Sequence, residues 1–419
     1  MKRILFLTYR IPDISLKDGY SIRILGLAQI LKREYQIDLA SLFRKELKVE
    51  YKKGLKEIFN NLYLFPKNIF SEKIGAIKGV LSSGPIQEDI YLSPEMRRWV
   101  GRNYKKYNLI FCETLRTMTY VKNLKIPKVI DLIESLSLKY KRAKKFVNPL
   151  WKLIYQIEIP RIREREKEVL KDFDRIFISS PFDKEYLIEN SKPCLAGRRG
   201  KTSSFAKASA GRQNSKIIVV PNGVKEELIQ HPLSNVQYPE ENYISFFGKM
   251  DYQPNEDAVW WFSREVFPRL KNKIPDLKFY IVGTNPTKKI KKLKINKNIK
   301  ITDYLKNPYE ILRKSKLIVV PLRFGAGIQN KVLESMALGK TIITSPIGAQ
   351  GIPEAKSGEH LEVIKEDRPE AWAEKILTLL FNSRKRNDLG EKAKKLIEEN
   401  YRWEKIGNKL LDIINELTN

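Results

Sequence analysis

Short apolar runs alternate with helical stretches along the whole chain, and this restricts it to a layered α/β architecture with parallel sheets. In the first half, strands are expected at Ile4–Tyr9, Ile37–Phe43, Asn61–Pro66, Tyr107–Glu113, Lys128–Glu134, Arg175–Ser180 and Ile217–Pro221. In the second they are expected at Tyr243–Gly248, Lys278–Gly283, Ile299–Thr302, Leu317–Leu322, Thr341–Ser345 and Leu361–Ile364. Helical periodicity fills the intervals near 20–33, 149–172, 182–190, 255–272, 308–314, 328–338 and 368–382, with a closing pair from about 384. The pattern reads as two doubly wound, Rossmann-like domains in tandem. Residues 1–224 form the first, 225–241 a polar linker, 242–395 the second, and 396–419 a last helix crossing back. Ligands of such sheets sit beyond the carboxyl ends of the strands, so two facing units imply an interdomain cleft. Residues 192–215, rich in Gly, Ala, Ser, Lys and Arg, break the pattern and read as a disordered surface insertion.

Composition removes several chemistries. Two cysteines, Cys112 and Cys194, make neither a disulfide framework nor a metal cluster, and two histidines, His231 and His360, are a poor basis for a metal site or a Ser–His relay. The apolar run Ile4–Thr8 is too short for a signal peptide, and no stretch reaches the roughly 18 apolar residues of a membrane span. A cytoplasmic protein, or one peripheral on the inner face of a membrane, is expected. The net charge of +30 attracts anionic substrates, lipid head groups or nucleic acid. It is dense in residues 101–150, with 12 Lys/Arg against 3 Asp/Glu.

The most specific local signal is PLRFGAGIQNKVLESMALG, 321–339. A strand enters a glycine turn, Gly325-Ala326-Gly327, and then a helix whose first N–H groups and dipole favour an anion. Lys331 and Glu334, three residues apart, share a face of that helix. A cation for phosphate beside a carboxylate for hydroxyls suits a sugar nucleotide; the plain alternative is a solvated pair on an ordinary βα turn. A second strand–glycine–helix junction, ISFFGKMDYQPNEDAVWWF (244–262), places Lys249 at a neighbouring strand end. Two ammonium groups and helix N–H donors can neutralise a diphosphate without a metal. Asn255 and Asp257 are expected as helix caps, and Trp260, Trp261 and Phe262 as core. Near the first strand, RIPDISLKDGYSIRILGLAQIL puts Gly19 just before a helix and Arg23 in its first turn. Asp131 and Glu134, at a strand end, are the carboxylates considered for a general base. Asp172-Phe-Asp174 matches a D-x-D metal string but lies at a helix-to-strand junction and is set aside. Residues 137–155 mix Lys139, Lys141, Arg142, Lys144 and Lys145 with Phe146, Leu150 and Trp151, which suits an anionic membrane surface.

With RIP…KDGYSIR, IIVVPNGV (217–224), FFGKMDYQPNEDAVWWF and ITDYL through VPLRFGAGIQNKVLESMALGK in place, the chain resembles family 4 (group 1) glycosyltransferases of the GT-B fold. It is most similar to the sugar transferases found with exopolysaccharide and exosortase gene clusters. The resemblance implies retaining transfer from a UDP- or GDP-sugar to a polysaccharide or lipid-linked glycan acceptor, with no cofactor and no metal. It implies Lys249 and Lys331 on the diphosphate, Glu334 on the ribose, backbone around Asp303-Tyr304 at the nucleobase, and backbone of Gly325, Ala326, Gly327 and Ile328 along the sugar and phosphate. Gly19 would lie at the reaction centre, with Arg23 and Glu134 also on the acceptor side. The first glutamate of the family's E-x7-E motif falls at Ala326, and a second lysine is missing near Pro254-Asn255; Arg323 is a candidate for replacement charge. The departing phosphate is expected to help deprotonate the acceptor. Two rivals are a sugar-nucleotide 2-epimerase on the same fold, which needs acid/base carboxylates and usually a cleft histidine, and a basic nucleic-acid-binding protein. No specific nucleic-acid signature supports the latter.

Overall fold

The computed structural model describes residues 1–15, 18–44, 47–191, 215–230, 242–305 and 307–418. Most of the expected insertion (192–214) and of the expected linker (231–241) therefore lies outside the described residues. The chain divides into two compact units, Met1–Pro221 with Ile406–Asn419, and Asn222–Lys405.

The first unit is built on a seven-stranded parallel sheet: β1 (Arg3–Thr8), β2 (Gln36–Phe43), β3 (Asn61–Pro66), β4 (Leu109–Glu113), β5 (Lys128–Ile133), β6 (Arg175–Ile178) and β7 (Ile217–Val219). Its order is β3-β2-β1-β4-β5-β6-β7, which reverses direction between β1 and β4. β1 and β4 are buried at nearly every position because crossover helices cover both faces of the sheet. The second unit repeats the plan with β8 (Tyr243–Phe247), β9 (Lys278–Val282), β10 (Ile299–Ile301), β11 (Ile318–Val320), β12 (Ile342–Thr344) and β13 (Glu362–Val363). The order there is β10-β9-β8-β11-β12-β13, with the reversal between β8 and β11. Both sheets are the doubly wound type expected, and each expected strand is present to within two residues at either end.

The β3–β4 connection holds a helix that the periodicity did not give, Ile69–Leu81, capped by the Asn68 side chain, whose Oδ1 accepts from the Ser71 N–H. Its glycines face inward: a Cβ on Gly75 would sit 2.5 Å from the Asp89 carbonyl, and one on Gly79 2.8 Å from the Ile86 Cα. Ile69, Phe70, Ile77, Val80 and Leu81 are left exposed. The last helix, Trp403–Thr418, belongs to the first unit from Ile406 onward. Gly407 lets it close on Ile30, where a Cβ would meet the isoleucine at 3.0 Å, and Tyr35 shares a hydrogen bond with Thr418 (2.9 Å).

Arg23 corrects a sequence expectation. Its side chain is wholly buried, with Nε and Nη2 donating to the two Asp131 oxygens (2.5 and 2.8 Å) and Nη1 to the Val220 carbonyl (2.7 Å). It joins the helix after β1 to β5 and the end of β7, so neither Arg23 nor Asp131 is presented to a substrate. Removing one partner leaves a buried charge uncompensated, which costs about 3–5 kcal/mol. Arg23→Met is expected to destabilise the first unit by that amount in urea unfolding, and Arg23→Met with Asp131→Leu to recover most of it. A single variant losing under about 1 kcal/mol would contradict this role.

Candidate functional site

Parallel pairing puts the turns after β8, β9, β10 and β11 on one edge of the second sheet, and most of the residues singled out by sequence occur there. Gly248 and Gly283 end β8 and β9 with φ of +150° and +157°. The Gly248 N–H donates to the Val282 carbonyl (3.0 Å), and a Cβ on Gly283 would fall 1.8 Å from the Gly248 oxygen. Only glycine permits that approach. Beyond β11 the chain turns through Gly325 (φ +151°) and Gly327 (φ +68°) into the helix Asn330–Ala337, which has no acidic residue in its first turn.

Lys331 lies on this helix, 8% exposed, with its Cε 3.4 Å from where a Gly248 side chain would begin. Its amine donates to Gln329 Oε1 (3.1 Å), a neutral acceptor, and burial pulls its pKa down to about 8. Glu334 follows on the same face. Burial pushes its carboxyl up to about 7, opposed by the charge of Lys225, a hydrogen bond from Tyr309 and the charge of Lys331. The Tyr309 hydroxyl is raised in turn by burial and by Glu334. A cation and a carboxylate, each displaced toward its neutral form by burial, thus share one helix face at this sheet edge.

Other expected residues behave differently. Lys249 is 40% exposed, with its amine 3.4 Å from Asp251, which also accepts from the Asn285 amide (3.0 Å). Arg323 is not spare charge: its guanidinium is engaged by both Asp257 oxygens (2.8 and 2.5 Å). Asn255 and Asp257 are likewise not caps, since both lie inside the helix Gln253–Trp261, where the Asn255 amide donates to the Lys249 carbonyl (2.9 Å). Trp260 and Trp261 are only partly buried against the core that holds Phe262. Asp303 and Tyr304 are exposed after β10. Ala326 and Ile328 have buried side chains, so anything they offer a ligand comes from the backbone.

In the first unit, Gly19 is the exposed first residue of the helix Gly19–Leu31, capped by Asp18, which also pairs with Arg10 (2.9 Å). Glu134 accepts from Lys139 (2.6 Å) and so is not an unencumbered base. A residue the sequence reading missed is Glu113, the last of β4. It stands opposite Asp131 in the β4–β5 register, is fully buried, and neither carboxyl oxygen is met by a well-formed hydrogen bond. The Tyr20 hydroxyl beside it donates to the Arg10 carbonyl (2.9 Å) and also interacts with the Glu113 carboxyl. Burial holds the Glu113 carboxyl well above the usual carboxylate range; Arg116 opposes this and Asp131 adds to it. The next residue, Thr114, and Ile133 at the end of β5 adopt φ of 57° and 65°. Left-handed geometry is costly for β-branched residues and tends to collect at functional sites. The available signal was an acid closing an otherwise apolar strand, LIFCE.

Comparison with known proteins gives a family match on the second unit. Residues 241–382 match the family model described as glycosyl transferases group 1. The chain is 21% identical over 389 residues, 89% of each protein, to an uncharacterised 44.6 kDa protein in the cps region of Klebsiella pneumoniae. Among solved structures it is similar to sucrose-phosphate synthase from Thermosynechococcus elongatus (TM-score 0.70, 14% identity, 100% of this chain and 99% of that one). It is also similar to Anabaena HepE in complex with UDP and glucose (TM-score 0.66, 11% identity, 99% and 100%). The fold is GT-B, and the second unit carries the match to the group 1 glycosyl transferases.

The Gly248–Gly283 contact yields a test. Gly283→Ala is expected to destabilise the second unit by at least about 2 kcal/mol in chemical unfolding followed by tryptophan fluorescence. Gly101→Ala, whose added methyl meets nothing within 4 Å, is expected to be close to neutral. Equal behaviour of the two variants would refute the close-approach argument.

Proposed function

We propose that the protein transfers a sugar, with retention, from a UDP- or GDP-sugar to a polysaccharide or lipid-linked glycan acceptor. The observation that carries this reading is the Lys331–Glu334 face at the carboxyl edge of the second sheet, against the glycine backbone of Gly248. Lys331 and the helix N–H groups meet the diphosphate and stabilise it as it leaves, with Lys249 adding charge from the adjacent strand end. Glu334 accepts from the ribose hydroxyls. Asp303 and Tyr304 present backbone to the base, and Gly325 to Ile328 present theirs to the sugar and phosphate. Charge neutralisation by lysines and amides makes the reaction independent of a metal, and the leaving phosphate helps to take the acceptor proton. The cps-region setting of the Klebsiella relative and the UDP and glucose bound by HepE support the polysaccharide and nucleotide parts of the reading.

The acceptor end of the reading places the protein on the inner face of a membrane. No described helix is long and apolar enough to cross one. Leu150, Trp151, Leu153 and Ile157 are nevertheless exposed on the helix Pro149–Asp172, close in sequence to the basic run 139–145. That combination favours docking on anionic lipid.

The reading is tested by thermal stabilisation with a panel of UDP, GDP, dTDP and ADP and their sugars. A selective shift for one nucleotide is expected, lost in Glu334→Ala, together with transfer abolished in Lys331→Ala at unchanged secondary structure. Near-normal turnover of Lys331→Ala would sink the assignment. The pH dependence is a second check. Glu334 accepts two hydroxyl donors only when ionised, so affinity rises as pH passes its pKa of about 7. Lys331 attracts phosphate only when protonated, so affinity falls above about 8. Nucleotide affinity measured by calorimetry is expected to peak between these values, and to lose its acid limb in Glu334→Gln.

A further inference from the structure

The second unit carries a charged surface that the donor site does not use. From Leu277 to Thr302 the chain has eight lysines and no aspartate or glutamate, against 79 basic and 49 acidic residues overall. The helical turn Lys288–Lys291, the 3-10 turn Lys292–Ile295 and edge strand β10 sort this segment into two faces. Ile290, Leu293 and Ile299 enter the core of the unit. Lys288, Lys291, Lys292, Lys294, Lys297 and Lys300 are exposed, and among the described residues none of the six has a carboxylate within ion-pair distance. Ile295 projects from the middle of them, 87% exposed.

Lysines on an edge strand can simply prevent edge-to-edge pairing. That accounts for Lys300 on β10 but not for the lysines of the preceding turns, nor for a branched apolar side chain raised among them. Clustered lysines around an outward apolar residue suit a surface whose charge lies at the boundary of an apolar layer. Single-stranded nucleic acid is recognised by stacking on aromatic rings, and residues 284–302 contain none.

We propose that residues 288–300 dock the second unit on an anionic phospholipid surface, with the lysines at the head groups and Ile295 inserted among them. The inference does not depend on docking through residues 137–155, nor on the identity of the sugar donor. Each lysine near such a surface contributes on the order of a fivefold gain in partition.

The test uses the full chain with Cys194→Ser and Ile295→Cys, the latter carrying an environment-sensitive fluorophore; Cys112 is buried and stays unlabelled. Phosphatidylcholine vesicles with and without phosphatidylglycerol, both carrying spin-labelled lipid, are added in turn. A blue shift and quenching with the anionic vesicles only are expected. Replacing Lys291, Lys292, Lys294 and Lys297 by Gln is expected to weaken partition by at least about tenfold without changing thermal unfolding. Leu150→Ser with Trp151→Ser is expected to leave the label's response at saturating vesicle concentration unchanged. No spectral change with anionic vesicles, partition unaffected by the four substitutions, or an equal blue shift with heparin or single-stranded DNA would each overturn the proposal.

Discussion

A parallel strand can be added only after the chain has crossed back over the sheet, and the site follows from that constraint. Each crossover buries a face, which demands apolar strands, and each return brings another carboxyl end to the same edge. In the second unit that edge gathers Gly248, Gly283 and the turn entering the helix Asn330–Ala337. The glycines let neighbouring strand ends touch, and the helix supplies N–H donors where its side chains supply one cation and one carboxylate. The same constraint in the first unit aligns Thr8, Glu113 and Asp131, the carboxyl-end residues of β1 and β4 and an inner residue of β5.

Two kinds of buried charge separate structure from function here. Arg23 and Asp131 satisfy each other completely and tie three elements together. Lys331 and Glu334 are also drawn out of water, but they hydrogen-bond to the neutral groups Gln329 and Tyr309. Their protonation equilibria are displaced toward neutrality from both sides. That difference in compensation, rather than burial itself, makes one pair a strut and the other a candidate site.

The expectations for individual charged residues failed where partners lie far apart in sequence. Arg23 meets Asp131 across 108 positions, and Arg323 meets Asp257 across 66. Read alone, each is a cation near a strand end. Glu113 was hidden for the opposite reason: it closes an apolar strand and looks like strand composition until its unmet carboxyl and the left-handed Thr114 are seen together. The helix Ile69–Leu81 escaped because inward glycines and outward apolar residues invert the usual amphipathic pattern.

By itself the sequence determined the two doubly wound sheets, the glycine turns at their carboxyl edges and the Lys331–Glu334 face. These depend on periodicity and spacing over a few residues, which local backbone geometry enforces. Only the tertiary structure decided which charges are consumed within the fold, which carboxyl groups lose water, and which lysines and apolar side chains remain outside. Those outcomes depend on pairing and desolvation between segments that meet only after folding, and no local pattern carries them.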